Sequence, residues 1–185
     1  MNINTAILDG TKFLKENHIK FPGLDSEILL ANVKKKKREY LILNLDKNLK
    51  RESLKYFQEM IRQRSLGKPI AYLIGKKNFW NSEFEISEGV LIPRPDTEIL
   101  IQETLRLFKH KKYANILDIG VGSGCILLSI LNEKPGFRGT GIDISEKSIS
   151  LSKKNTKKFG LINKVKLIKT DVDNFCLGKY DLILS

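Results

Sequence analysis

Seven consecutive residues, Asp118-Ile119-Gly120-Val121-Gly122-Ser123-Gly124, carry the strongest chemical signal in the 185-residue sequence. They lie between an apolar pentapeptide, residues 115–119, and an apolar helical stretch. Each glycine removes a Cβ where a backbone must turn sharply and admit a ligand at close range. The spacing is G-x-G-x-G, whereas dinucleotide sites favour G-x-G-x-x-G. A pyrophosphate is drawn to a helix N-terminus free of negative charge. Asp118, just before the glycines, would repel it and would suit an ammonium instead. S-adenosylmethionine (SAM), whose methionine end carries an ammonium and no phosphate, fits these residue types better.

Two further acids fall where such a ligand would extend. Asp143 follows Gly124 by 19 residues and closes the next apolar stretch. An acid at that strand tip accepts hydrogen bonds from both ribose hydroxyls. Alternatively, Asp143 or Ser145 caps the helix that begins near Glu146. Asp171-Val172 ends a third stretch, where adenine would lie; an ordinary loop aspartate is the competing reading.

These residues need a sheet to hold them. Strands are predicted at 115–119, 138–143, 165–169 and 180–184, with helices at about 124–133 and 146–159. The alternation implies a parallel sheet with right-handed crossovers. Such sheets bind ligands along the carboxyl edge of their strands. Sheets of this kind have more than four strands, so the domain is expected to be incomplete at Ser185.

Upstream, residues 1–75 read as a small helical bundle. Ile3, Ile7 and Leu14 share one helical face; Ile28, Leu29 and Val33 share another, after the breakers Pro22 and Gly23. Tyr40–Leu45 forms a third short piece. A fourth helix spans about 52–66 and ends at Gly67 and Pro69. Residues 76–110 form a β-hairpin and a linker helix. In the hairpin, Phe79 and Trp80 precede the polar pair Asn81-Ser82, and Phe84 and Ile86 alternate with polar residues. The linker helix places Ile101, Leu105 and Phe108 on one face. The remaining residues, 111–185, hold the ligand-binding domain.

Composition narrows the setting. Hydrophobic residues make up 41% of the chain, enough for a packed core. No apolar run reaches the roughly 18 residues of a membrane helix, and the first 20 residues lack a secretory pattern. The two cysteines, Cys125 and Cys176, have no metal-ligand spacing; both are expected as buried free thiols in a cytoplasmic protein, with no metal site. The net charge of +12 suits either an anionic partner or a lysine-solvated surface. The run Lys34–Arg38 reads as an exposed helix end or turn.

Several strings together resemble the release factor glutamine methyltransferases, the PrmC/HemK family. They are Ala71–Gly75 (AYLIG), Phe79-Trp80, Ile92–Glu98 (IPRPDTE), Ile116–Gly124 (ILDIGVGSG) and Tyr180–Ser185 (YDLILS). The resemblance implies an α/β protein: a helical bundle, a β-hairpin linker and an incomplete Rossmann-like SAM-dependent methyltransferase domain. It implies methylation of the glutamine side-chain amide in the Gly-Gly-Gln motif of class I peptide-chain release factors, with the helical domain helping to hold the factor. Nucleic acid would not be required, and no membrane is involved.

By the same resemblance SAM lies over Gly120, Val121, Gly122, Ser123 and Gly124, with Asp118, Asp143, Asp171 and Val172 as further contacts. Many relatives carry an aromatic residue at the Val172 position, so valine forfeits stacking. Phe79 and the turn Pro93-Arg94-Pro95-Asp96-Thr97 would wall the site near the transferred methyl. Phe79 and Trp80 could instead pack a hairpin core, and Arg94 could pair with Asp96 or Glu98. The family continues from the YDLILS string into Asn-Pro-Pro-Tyr, whose Asn side chain and Pro carbonyl accept the amide hydrogens. No catalytic residue is therefore expected within residues 1–185, and this chain alone is expected to be inactive. An adenine-specific nucleic-acid methyltransferase is the alternative, since it activates a similar planar nitrogen. A truncated, non-catalytic SAM-binding module is another.

Overall fold

The computed structural model describes residues 1–185, which divide into two compact units, Met1–Ile74 and Gly75–Ser185. The first is all-helical: α1 (Ile3–Glu16), α2 (Pro22–Lys34), α3 (Arg38–Ile42), α4 (Arg51–Ser65) and α5 (Ile70–Ile74). Asn2 starts α1 by accepting the Thr5 N–H at 2.8 Å, which satisfies one of the orphan donors of a first turn. Pro22 is the first residue of α2 rather than a breaker before it. Its fixed φ and missing N–H suit that position. Lys35 ends the helix in a left-handed conformation, so the basic run does form the exposed turn between α2 and α3.

Ile3, Ala6, Leu14, Leu29, Leu30, Phe57, Met60 and Ile61 make the core of this unit. The only charged residue buried in it is Asp25, which accepts from Arg64 Nε at 2.7 Å; the guanidinium also donates to the Lys68 carbonyl. This pair ties α2 to the end of α4. Removing one partner leaves the other charge partly desolvated. Asp25→Ala is therefore expected to lower stability by about 2 kcal/mol, discounted for the partial exposure of Arg64. A urea titration of residues 1–74 signals would check it; an unchanged midpoint would show the pair to be idle.

The second unit opens with an antiparallel hairpin, β1 (Lys76–Phe79) and β2 (Ser82–Glu85). Its turn is Trp80-Asn81; Ser82 already sits in β2, opposite Phe79. A turn of residues 95–97 leads into α6 (Glu98–Leu107). Then follow β3 (Asn115–Ile119), α7 (Cys125–Glu133), β4 (Arg138–Asp143), α8 (Glu146–Lys158), β5 (Val165–Lys169) and β6 (Leu182–Leu184). All four strands pair in parallel in the order β5-β4-β3-β6. The first three strands match the expected bounds; β6 is shorter than the 180–184 anticipated and lies at an edge, with Ile183 exposed.

The order reverses beside β3: the chain runs outward through β4 to β5, then returns to the other flank of β3 as β6. Ligands bind at the strand tips beside such a reversal. The hairpin clusters within this second unit. Phe79 stacks edge-on against Phe84 and Phe84 against Phe159, at centroid separations of 6.2 and 4.8 Å. Cys125 is buried as expected, but Cys176 is exposed in the loop between β5 and β6.

Candidate functional site

The segment after β3 folds into a turn that the neighbouring strand and helix hold from beneath. Gly120, Gly122 and Gly124 all have positive φ, at 74°, 54° and 81°, which side chains with a Cβ rarely adopt. The Gly120 and Val121 N–H groups both donate to the Ile142 carbonyl at 2.9 Å. Gly122 N–H donates to Asp143 Oδ2 at 3.0 Å, and Ser145 N–H donates to Asp143 Oδ1 at 2.8 Å. Asp143 therefore pins the glycine loop. The cap of α8 is Ser145, whose hydroxyl accepts the Ser148 N–H. The carboxylate retains lone pairs for ribose hydroxyls, since each oxygen carries one protein donor.

The carbonyl side of the loop is held by α8. Ser152 Oγ donates to the Gly122 carbonyl at 2.7 Å, and Asn155 Nδ2 donates to the Ser123 carbonyl at 2.8 Å. Asn155 also bonds both backbone groups of Glu85 in the hairpin. Ser148, Ser152, Asn155 and Thr156 are all buried. None stood out in the sequence, because small polar residues at helical spacing normally read as a solvated face. The one usable signal was their spacing of three and four on a helix otherwise rich in lysine.

Asp118 is not on the open surface of the site. It is 2% exposed beneath the loop; its carboxylate accepts the Leu127 N–H, and Oδ2 has no partner. No side chain caps α7 at Gly124. Burial pushes its carboxyl up to about 7, with a smaller contribution from the nearby Asp143 charge. Ser123 Oγ is likewise buried and unpartnered. The outer side of the loop is open: a Cβ placed on Gly120 would meet no atom within 4 Å. A buried carboxylate with one oxygen unpartnered, under an open glycine turn, fits a ligand that brings positive charge. It does not fit a pyrophosphate.

The third strand tip adjoins the second, since Thr170 N–H donates to the Asp143 carbonyl at 3.0 Å. Beyond it, Asp171 turns on itself, accepting the backbone and side-chain N–H groups of Asn174 at 2.8 and 2.7 Å. Those bonds hold its carboxyl below the usual range. Val172 is 51% exposed. The structure thus brings Gly120–Gly124 and Asp143 into direct contact and sets Asp171-Val172 beside them.

The expected wall residues divide. Phe79 is 2% exposed and packs in the hairpin core; it presents almost no surface to a ligand. In the turn, Pro93 is buried while Arg94, Pro95 and Asp96 are exposed and Thr97 half-buried. Glu98 does not pair with Arg94; it accepts the Trp80 N–H at 2.8 Å, and Trp80 Nε1 donates to Glu133 at 2.7 Å. These bonds hold Trp80 at a φ of 51°, costly for a bulky residue. Val90, just before the turn, lies 3.9 Å from where a Gly122 Cβ would sit. The segment leading into Pro93–Thr97 therefore abuts the glycine loop.

Residues 110–185 match a methyltransferase domain. Together with the sheet order and the glycine turn at the tip of β3, this defines the class: the first part of a Rossmann-like methyltransferase fold. Residues 5–75 match the PrmC N-terminal domain. A release factor glutamine methyltransferase of Fusobacterium nucleatum is 36% identical over 94% of this chain and 50% of its own length. One from Buchnera aphidicola is 39% identical over 88% of this chain and 58% of its own. Among solved structures, an RNA methyltransferase from Salinibacter ruber in complex with S-adenosyl-L-homocysteine overlays 50% of this chain and 58% of its own. Its TM-score is 0.44 and its identity 23%. The likeness to release factor glutamine methyltransferases read from the sequence is borne out in both domains. The chain spans about half the length of the curated relatives it matches. No helix is long and apolar enough to cross a membrane.

Proposed function

We propose that this chain is the SAM-binding and partner-binding part of an enzyme that methylates the glutamine side-chain amide of the Gly-Gly-Gln motif in class I release factors. The observation that carries the reading is the pairing, in one chain, of a PrmC N-terminal domain with a methyltransferase domain. The helical unit holds the release factor, and the work is done in the cytoplasm without nucleic acid. SAM supplies an activated methyl group and, when bound, lies over Gly120–Gly124. Asp143 holds its ribose, Val172 offers apolar contact to adenine, and Asp118 balances the methionine ammonium from beneath the loop.

The chemistry asks little more of these residues than placement. An amide nitrogen is a weak nucleophile because its lone pair is delocalised into the carbonyl. Holding nitrogen, methyl carbon and sulfur in line lowers the barrier by several kcal/mol, on the order of what fixed orientation supplies. The segment leading into the Pro93–Thr97 turn abuts the loop through Val90, and the turn would wall the side where the glutamine enters. Groups that accept the amide hydrogens belong to the Asn-Pro-Pro-Tyr string that follows YDLILS in the family, so none of residues 1–185 is assigned a catalytic role.

The test is tritiated methyl transfer from SAM, using the protein carried to the length of its relatives. Label is expected on a release factor and absent from its Gln→Ala variant and from DNA. Equal label on the Gln→Ala factor, or label on DNA, would sink the reading and favour an adenine-directed enzyme.

A further inference from the structure

Asn155 is fully buried, with no exposed surface, and makes three hydrogen bonds to backbone groups of two separate segments. Its Oδ1 accepts the Glu85 N–H at 2.8 Å; its Nδ2 donates to the Glu85 carbonyl at 3.1 Å and to the Ser123 carbonyl at 2.8 Å. A side-chain amide can make few more bonds than this. Neither partner is local: Glu85 ends the hairpin strand β2, and Ser123 lies in the glycine loop. The amide copies a strand neighbour for Glu85, whose backbone faces no other strand on that side.

Ser152, one turn earlier, is a useful contrast. Its hydroxyl donates to the Gly122 carbonyl and not to the hairpin. Both residues fix the loop; only Asn155 fixes the loop and the hairpin to each other. Seven residues beyond Glu85 the chain enters the Ile92–Glu98 string, and Val90 Cγ1 lies 3.9 Å from where a Gly122 Cβ would sit.

We propose that Asn155 is a positioning residue that joins the glycine loop to the hairpin, so that occupation of the cofactor site steadies the segment leading to the glutamine-binding turn. This rests on the SAM-site reading above. The Ser123 carbonyl and the backbone N–H and carbonyl of Glu85 are bonded by no side chain but Asn155. Losing the amide leaves them unsatisfied, and an unmade buried bond costs far more than a made one contributes. The cost falls on two segments at once, which is why the effect is readable at a distance from the loop.

The experiment uses S-adenosylhomocysteine as probe and reads both its affinity by calorimetry and amide hydrogen exchange across the β1–β2 ladder. In the unmodified protein, saturating probe is expected to slow exchange in the ladder. Ser152→Ala is expected to weaken the probe by about tenfold yet preserve the slowing at saturation. Asn155→Ala is expected to weaken it similarly and abolish the slowing. Because a cavity at this site could unfold the unit, Asn155→Asp is the second variant. It keeps the volume and the acceptor for Glu85 N–H, but faces both carbonyls with an acceptor, and it should uncouple the hairpin in the same way. Thr156→Val, which removes only a bond within α8, is expected to leave affinity within about twofold.

If the probe binds but the ladder is unmoved, or is slowed equally in the Asn155 variants, the joint is refuted and the cofactor site stands. If the probe does not bind the unmodified protein at all, the cofactor site fails and the joint with it.

Discussion

Asp118→Asn is expected to make the ligand-free protein more stable at pH 8 and to bind S-adenosylhomocysteine less tightly. The two effects share one cause. Asp118 lies buried with Oδ2 unpartnered, and its carboxyl titrates at about 7 instead of the usual 3.8. A carboxyl whose folded value is raised does not burden the fold below its unfolded value, near 4. As pH rises from there through about 7, the unfolded chain ionises readily while the folded chain resists, so stability falls. Above pH 7 the penalty is complete, on the order of a few kcal/mol.

Asparagine keeps an acceptor for the Leu127 N–H and carries no charge, so the variant escapes the penalty. Thermal melts should show it gaining several degrees at pH 8, less than half of that gain at pH 5, and little or nothing at pH 3. The ligand reverses the balance, because an ammonium above the loop favours the ionised acid. Affinity of the unmodified protein should therefore rise between pH 5.5 and 7.5, and that rise should vanish in Asp118→Asn. Equal melting gains at all three pH values would show that Asp118 is not held against its charge. A pH-independent affinity would remove the ammonium from its reach.

Gly141→Ala is the second large effect. Gly141 lies in β4 between Asp118 of β3 and Leu167 of β5, directly beneath the loop. A Cβ there would lie 2.7 Å from Val121 Cγ2 and 2.9 Å from Leu167 Cδ2. Leu167 can swing its side-chain end aside. Val121 is stiff at χ1 and its own Cβ is only 3.0 Å away, so the loop must lift. Overpacking of this kind costs about 1–3 kcal/mol. The lifted loop also strains the paired bonds from Gly120 and Val121 to Ile142, so ligand affinity should fall along with stability.

A double-mutant cycle isolates the contact. Gly141→Ala with Val121→Ala should cost less than the sum of the two single changes, by about 1 kcal/mol. Simple additivity in both urea melts and ligand titrations would place the clash elsewhere.

Most of the scaffold that holds this site was legible in the sequence. The strands β3, β4 and β5 are short, and their bounds were read to the residue. Helix α8 was found within a residue, its start marked by a capping residue just before Glu146. The five-residue α5 was not read as a helix; one turn and a half is too short to show a period. Pro22 read as a breaker because proline's two roles, stopping a helix and starting one, look alike without the flanking geometry. The hairpin turn shifted by one residue because Trp80, not a polar residue, takes the left-handed position.

The site was legible in its backbone and less so in its side chains. Glycine spacing and Asp143 point to the loop directly. The burial of Asp118 depends on where α7 lands, and the role of Asn155 depends on a hairpin some 70 residues away in sequence. Long-range polar contacts of that kind leave no periodic trace. Phe79 illustrates the converse: an aromatic residue in a family string, placed by the fold in the core.

The most direct test of the cofactor site is a nuclear magnetic resonance titration of the isotope-labelled chain with S-adenosylhomocysteine, followed amide by amide. Shifts are expected at Gly120–Gly124, Asp143 and Val172, with NAD producing none of comparable size. Unmoved glycine-loop amides at saturating ligand, or an equal response to NAD, would contradict the assignment of this turn to SAM.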